Sequence, residues 1–87
     1  MKEIDALSCD FSEKLHKQIG QNVKRLRMKK NISQLKLAYA LGYKSVSPIS
    51  GAEIYYKKNH FNIEQLAKIA FVLEVNISEL FKDIDLL

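Results

Sequence analysis

The 87-residue chain has one cysteine, one proline, three glycines and no long apolar run, and each scarcity removes a class of protein. A single Cys9 cannot close an internal disulfide. It has no Cys or His neighbour at metal-ligand spacing, and His16 and His60 stand alone in the sequence, so no metal site, cofactor or redox role is expected. No stretch of about eighteen apolar residues occurs, nor a basic-then-apolar leader with a small-residue cleavage site. Neither membrane spanning nor secretion is expected, and the expected location is the cytoplasm. The patterns of catalysis are missing as well. There is no carboxylate pair, no nucleophile beside a base and no phosphate-cradling glycine loop, so the chain is not expected to be an enzyme.

With so little proline and glycine, and without the alternation of β-branched residues that marks strands, the chain reads as all-α. Its 47% apolar content suffices for one small core but not for two. A single domain over 1–87 follows, with 1–10 expected as a flexible N-terminal segment and 82–87 as an apolar C-terminal tail.

Charge is present in quantity and unevenly placed. Residues 1–13 carry a net −3 and residues 74–87 another −3, while Lys14 to Leu73 holds twelve Lys or Arg against Glu53 and Glu64, a net +10 within an overall +4. Such a middle favours a polyanionic partner through counterion release. A plainly solvated helix face is the competing explanation, and charge alone does not separate the two.

Periodicity divides this middle into helices. The first is predicted from Asp10 to about Lys30, with Asp10 and Glu13 at capping-box spacing and Leu15, Ile19, Val23 and Leu26 as its buried stripe. Lys17, Lys24, Arg25, Lys29 and Lys30 are left facing outward. Asn31 and Ser33 interrupt it. Ser33 is the expected N-cap of a second helix, about Gln34 to Leu41, which Gly42 ends in a left-handed C′ conformation. Ser47 and Pro48 read as N-cap and first position of a short third helix reaching about Tyr55. After a basic loop from Tyr55 to Phe61, Asn62 is expected to cap a fourth helix with Leu66, Ile69, Ala70 and Leu73 inward. Asn76 with Glu79 is expected to cap a fifth helix, with Ile77, Leu80, Phe81 and Ile84 along one side. The outcome is a compact five-helix bundle.

Residues 19–81 resemble the helix-turn-helix domain of lambda-repressor-like, or XRE-type, transcriptional regulators. The resemblance is carried by Ile19-Gly20, Arg27, Ser33-Gln34, Leu37-Ala38, Leu41-Gly42, Ile49-Ser50, Glu53, Leu66, Ile69-Ala70, Leu73, Val75 and Leu80-Phe81, in that order and spacing. It covers about three quarters of the chain.

That resemblance implies a lambda-repressor-like DNA-binding domain with helices 2 and 3 as the helix-turn-helix, and a partner of double-stranded DNA. It places Gln34 against a phosphate at a helix N-terminus. It sets Lys44, Ser45, Ser47 and Ser50 around the end of helix 3 that faces base edges, and Lys57 and Lys58 on backbone phosphates. A plain N-cap for Ser47 and a solvated loop for the two lysines stand as alternatives. Arg27 and Glu53 are implied as an ion pair clamping helix 3 to the scaffold. A homodimer is expected through Phe81, Ile84, Leu86 and Leu87, which otherwise close the core against helix 1. No small-molecule ligand is indicated. Small members of the family include controller proteins of restriction-modification systems, antitoxins and phage or plasmid repressors.

Three positions depart from the family pattern. Gly42 to Glu53 is one residue longer than the commonest version, so Ile49 rather than Pro48 takes the core position. Gly51 stands where a long polar reader is common. Tyr55 replaces a glycine, and the loop to Asn62 is about two residues longer than usual. These features give weight to a second reading, in which the fold serves as a protein-interaction module with weak or no base reading.

Overall fold

The computed structural model describes residues 1–86. Four α-helices carry the fold: α1 (Phe11–Lys29), α2 (Gln34–Ala40), α3 (Ser47–Glu53) and α4 (Ile63–Leu73). Short 3-10 turns lie at Ile4–Ala6, Tyr56–Lys58 and Ile77–Phe81, and no strand occurs among the described residues. The all-helical expectation holds. The fifth helix, however, is a five-residue 3-10 turn, in which Asn76 accepts from the Ser78 N–H at 2.9 Å rather than from Glu79 in a capping box.

One core gathers all of this, with Ile19, Val23 and Leu26 of α1, Leu37 and Ala38 of α2, Ile49 and Ala52 of α3, Leu66, Ile69, Ala70 and Leu73 of α4, and Leu80. Leu15 of the predicted α1 stripe is half-buried at its edge, and Lys17, Lys24, Arg25, Lys29 and Lys30 are exposed. Phe61 is buried as well, so the basic loop is tied to the core at its end. The radius of gyration is 13.7 Å, somewhat above the value of about 12 Å for a compact chain of this length.

The helix ends follow local chemistry. The Ser33 hydroxyl accepts from the Lys36 N–H at 3.0 Å, and Asn62 and Gln65 form a reciprocal capping box at 2.7 and 2.9 Å. Asn31 (φ 58°), Gly42 (φ 88°) and Glu74 (φ 58°) take the left-handed conformation that closes α1, α2 and α4. In each case the next amide bonds back five residues, Ile32 to Arg27, Tyr43 to Ala38 and Val75 to Ala70, as a Schellman closure requires.

Two capping expectations fail for identifiable reasons. Asp10 precedes α1 but accepts no backbone bond there, because its carboxylate is engaged by the Ser8 hydroxyl and by Lys14 at 3.6 Å; Glu13 is likewise taken by Lys17 at 2.7 Å. Ser47 is the first residue of α3, and Val46 occupies the N-cap. Pro48 then falls one position further in, where its missing N–H is still harmless because the first turn has no intrahelical acceptors. α3 also stops at Glu53, before Tyr55, which adopts φ 58°.

The N-terminal segment holds the Ile4–Ala6 turn and buries no residue. No helix among the described residues is long and apolar enough to cross a membrane.

Candidate nucleic-acid interface

The centre of the site is a buried carboxylate. Glu53, at the end of α3, is 1% exposed and accepts from Arg27 Nε at 2.8 Å, Arg27 Nη2 at 3.1 Å and Gln34 Nε2 at 2.9 Å. Arg27 Nη1 also donates to the Ile32 carbonyl at 2.8 Å. One side chain thereby ties α3 to α1 and α2. The guanidinium fork meets the carboxylate in the bidentate geometry that makes such pairs strong and directional. Because both partners are buried, each depends on the other for its charge to be tolerated.

Gln34 makes a contact that its expected role did not include. Its amide is turned inward to Glu53, so the side chain braces the clamp first and has one remaining N–H for any other acceptor.

A second contact sets the position of α3. Gly20 of α1 lies against the end of α3 so closely that a Cβ there would meet the backbone carbonyls of Glu53 and Ala52, the latter at 2.8 Å. Here glycine is required by proximity, not by its own conformation. Ala38 of α2 is fully buried in the core, and Ile49, not Pro48, fills the core position of α3.

On the outer side, Lys44, Ser45 and Ser47 are exposed at the turn into α3, and Ser50 is half-buried one turn further on. Lys57 and Lys58 are exposed on the loop after α3, with φ of 50° and 66°. With Tyr55 also at φ 58°, three of four consecutive residues are left-handed, a conformation that stores strain in non-glycine residues. The Lys57 ammonium sits 5.3 Å from the centroid of the Tyr56 ring. Gly51 does not present an open position to solvent, since a Cβ there would contact the Asn59 side chain at 3.1 Å. The loop thus leans over this side of α3. Ser47, Pro48, Ala52, Asn59, His60 and Gln65 line a groove between them.

The histidines are not isolated in space. His16 of α1 and His60 of the loop stack with ring centroids 3.9 Å apart, and Tyr55 lies 5.7 Å from His16 in a near-parallel plane. His60 Nδ1 is 2.9 Å from the Lys58 carbonyl, while His16 Nδ1 is buried without a hydrogen-bond partner. Burial, and then the like charge of His60, hold the His16 pKa below its usual value. Among the described residues, no group of three His, Cys, Asp or Glu stands together as a metal ligand set. Sequence spacing of 44 residues gave no sign of this pair.

Asn22 was equally hidden. It is 1% exposed and donates to the carbonyls of Leu80 at 3.0 Å and Lys82 at 2.8 Å, pinning the C-terminal segment to α1. A signal existed, because position 22 lies three after Ile19 and four before Leu26, on the buried stripe.

Comparison with protein-family models, curated proteins and solved structures finds no match to this chain. The geometry must therefore carry the functional reading. Of the tail residues expected to pair two copies, Ile84 packs against the core while Phe81 and Leu86 are 36% and 47% exposed. Leu87 lies outside the described residues.

Proposed function

We propose that this chain is a sequence-specific DNA-binding regulator of transcription, acting as a homodimer, with α2 and α3 as its helix-turn-helix. The observation that carries the reading is the buried Arg27–Glu53–Gln34 cluster. It fixes the C-terminal end of α3 against two other helices, and at the opposite, N-terminal end lie exposed Lys44, Ser45 and Ser47 within the basic middle of the chain. Rigid presentation of a short helix with cations beside it is what insertion into a major groove requires. In this reading Lys44, Lys57 and Lys58 hold phosphates, Ser45, Ser47 and Ser50 approach base edges, and Gln34 orients the pair of helices. Two copies reach successive major grooves about 34 Å apart.

One observation favours the interaction-module reading. The only charged residue of α3 is Glu53, which is buried, so the helix presents hydroxyls but no Arg, Lys, Asn or Gln of the kind that discriminates bases strongly.

Selection from fragmented genomic DNA at two salt concentrations separates the readings. A recurrent inverted repeat retained at the higher salt supports the regulator. Loss of all fragments without an enriched motif rejects base reading and leaves only phosphate attraction.

A further inference from the structure

We infer that the outer face of α4, together with the end of α2, is where a second copy of this chain docks. Apart from Met1, Phe71 is the most exposed large apolar side chain described, at 85%. It points away from the core side of α4 and borders a groove lined by Ala40, Leu41, Ala67, Lys68 and Val72. Ile63, 66% exposed, continues the apolar strip toward the start of the helix. The two alanines make the recess and Phe71 makes the projection, and both belong to one surface. A surface that carries its own projection and recess side by side complements a copy of itself across a two-fold axis.

The charges select the same occupant. Glu64 and Lys68 are exposed and one helical turn apart on α4, flanking the apolar strip. When two α4 helices pack antiparallel about Ala67, Glu64 of each copy falls at the level of the partner's Ala70, about 3 Å along the axis from the partner's Lys68 and within reach of that long side chain, giving two symmetric ion pairs. Parallel packing sets like charges together. A foreign partner would need to supply this same alternation, whereas a second copy supplies it automatically.

The strip is short, so the dimer is expected to be weak, with a dissociation constant on the order of micromolar for an interface at the small end of the specific range. This deepens the regulator reading by naming where its two copies meet, and its test needs no DNA.

Sedimentation equilibrium of the full chain across the micromolar range is the measurement. The wild type is expected to show a monomer–dimer equilibrium. Phe71→Glu, at a side chain the fold does not bury, should keep the wild-type circular dichroism and melting curve while raising the dissociation constant at least about a hundredfold. Glu64→Lys and Lys68→Glu should each weaken the dimer, and the two together should restore it. Leu86→Glu, on the tail, should change little. The proposal is overturned by a wild type that stays monomeric, by a Phe71→Glu protein that dimerises normally, or by loss of the dimer on Leu86→Glu alone. Fluorescence anisotropy on a duplex then tests the other reading separately. A Phe71→Glu monomer that retains weak salt-dependent binding supports both, and a dimer that binds no duplex at low salt leaves this interface standing and rejects DNA as its purpose.

Discussion

Replacing Arg27 by alanine strands Glu53, which is 1% exposed and otherwise keeps only the Gln34 amide at 2.9 Å. Removing one partner of a buried pair costs about 3–5 kcal/mol, mostly the penalty of the charge left behind. A domain of this length is stable by only about 4–13 kcal/mol, so the loss is a large share of the whole. Each kcal/mol shifts Tm by about 4–8 °C in a domain of this size, so thermal melting should fall by roughly 12–40 °C. The control is Arg27→Met with Glu53→Leu, which removes both charges and keeps the volume. Because an apolar replacement of a buried pair is often neutral, the double variant should regain at least half of the lost Tm. Melting followed by circular dichroism decides it. An Arg27→Ala protein within about 4 °C of the wild type, or a double variant no better than the single one, refutes the account of Glu53 as a charge that must be matched.

Gly20→Ala forces a methyl into the carbonyls of Ala52 and Glu53; it should destabilise by about 1–3 kcal/mol in denaturant titration, as overpacking does, and wild-type stability would mean that α1 and α3 separate freely. Asn22→Ala leaves the Leu80 and Lys82 carbonyls without their donor and should cost about 1–3 kcal/mol in the same assay, with faster amide exchange confined first to the C-terminal segment. Because the His16 pKa is lowered in the fold, by burial and then by His60, the unfolded chain takes up its proton first as pH falls. The contribution is therefore complete above about pH 6.5 and lost below it, and Tm should drop between pH 7.5 and 5.5 by less in His16→Phe than in the wild type; equal drops would assign the effect elsewhere. Lys44→Ala should flatten the salt dependence of DNA binding without altering Tm, whereas Gln34→Ala should lower Tm as well, and a Gln34 variant with unchanged melting would show that its bond to Glu53 contributes nothing.

The legible part of this fold was its repetitive part. The apolar spacing of Ile19, Val23 and Leu26, and of Leu66, Ile69, Ala70 and Leu73, specifies which faces are buried, and all seven residues are buried. Ser33, Gly42 and Asn62 announced helix ends because their chemistry acts within four residues. Arg27 and Glu53 were named as a pair from family resemblance, and the structure brings them together. The failures share a different cause. Asp10 and Glu13 had better local partners in Ser8, Lys14 and Lys17 than the helix amides, and competition among neighbours of equal reach is not visible in spacing. His16 with His60, and Asn22 with Leu80, join residues far apart in the chain, so only the packed helices bring them together. Val75 and the 3-10 turn after it show the remaining limit, since a pattern of Ile77, Leu80, Phe81 and Ile84 suits a helix of either pitch.

The inward turn of Gln34 has a consequence for how such a protein can change. The residues that set the angle of α3, namely Gly20, Arg27, Gln34 and Glu53, are separate from those displayed beyond it, Lys44, Ser45, Ser47 and Ser50. Substitutions in the second group alter what the surface prefers while the first group holds the helix where it was. If α3 reads DNA as proposed, specificity and architecture are inherited on different residues, and a new target is reached by a few outward changes without refolding around them.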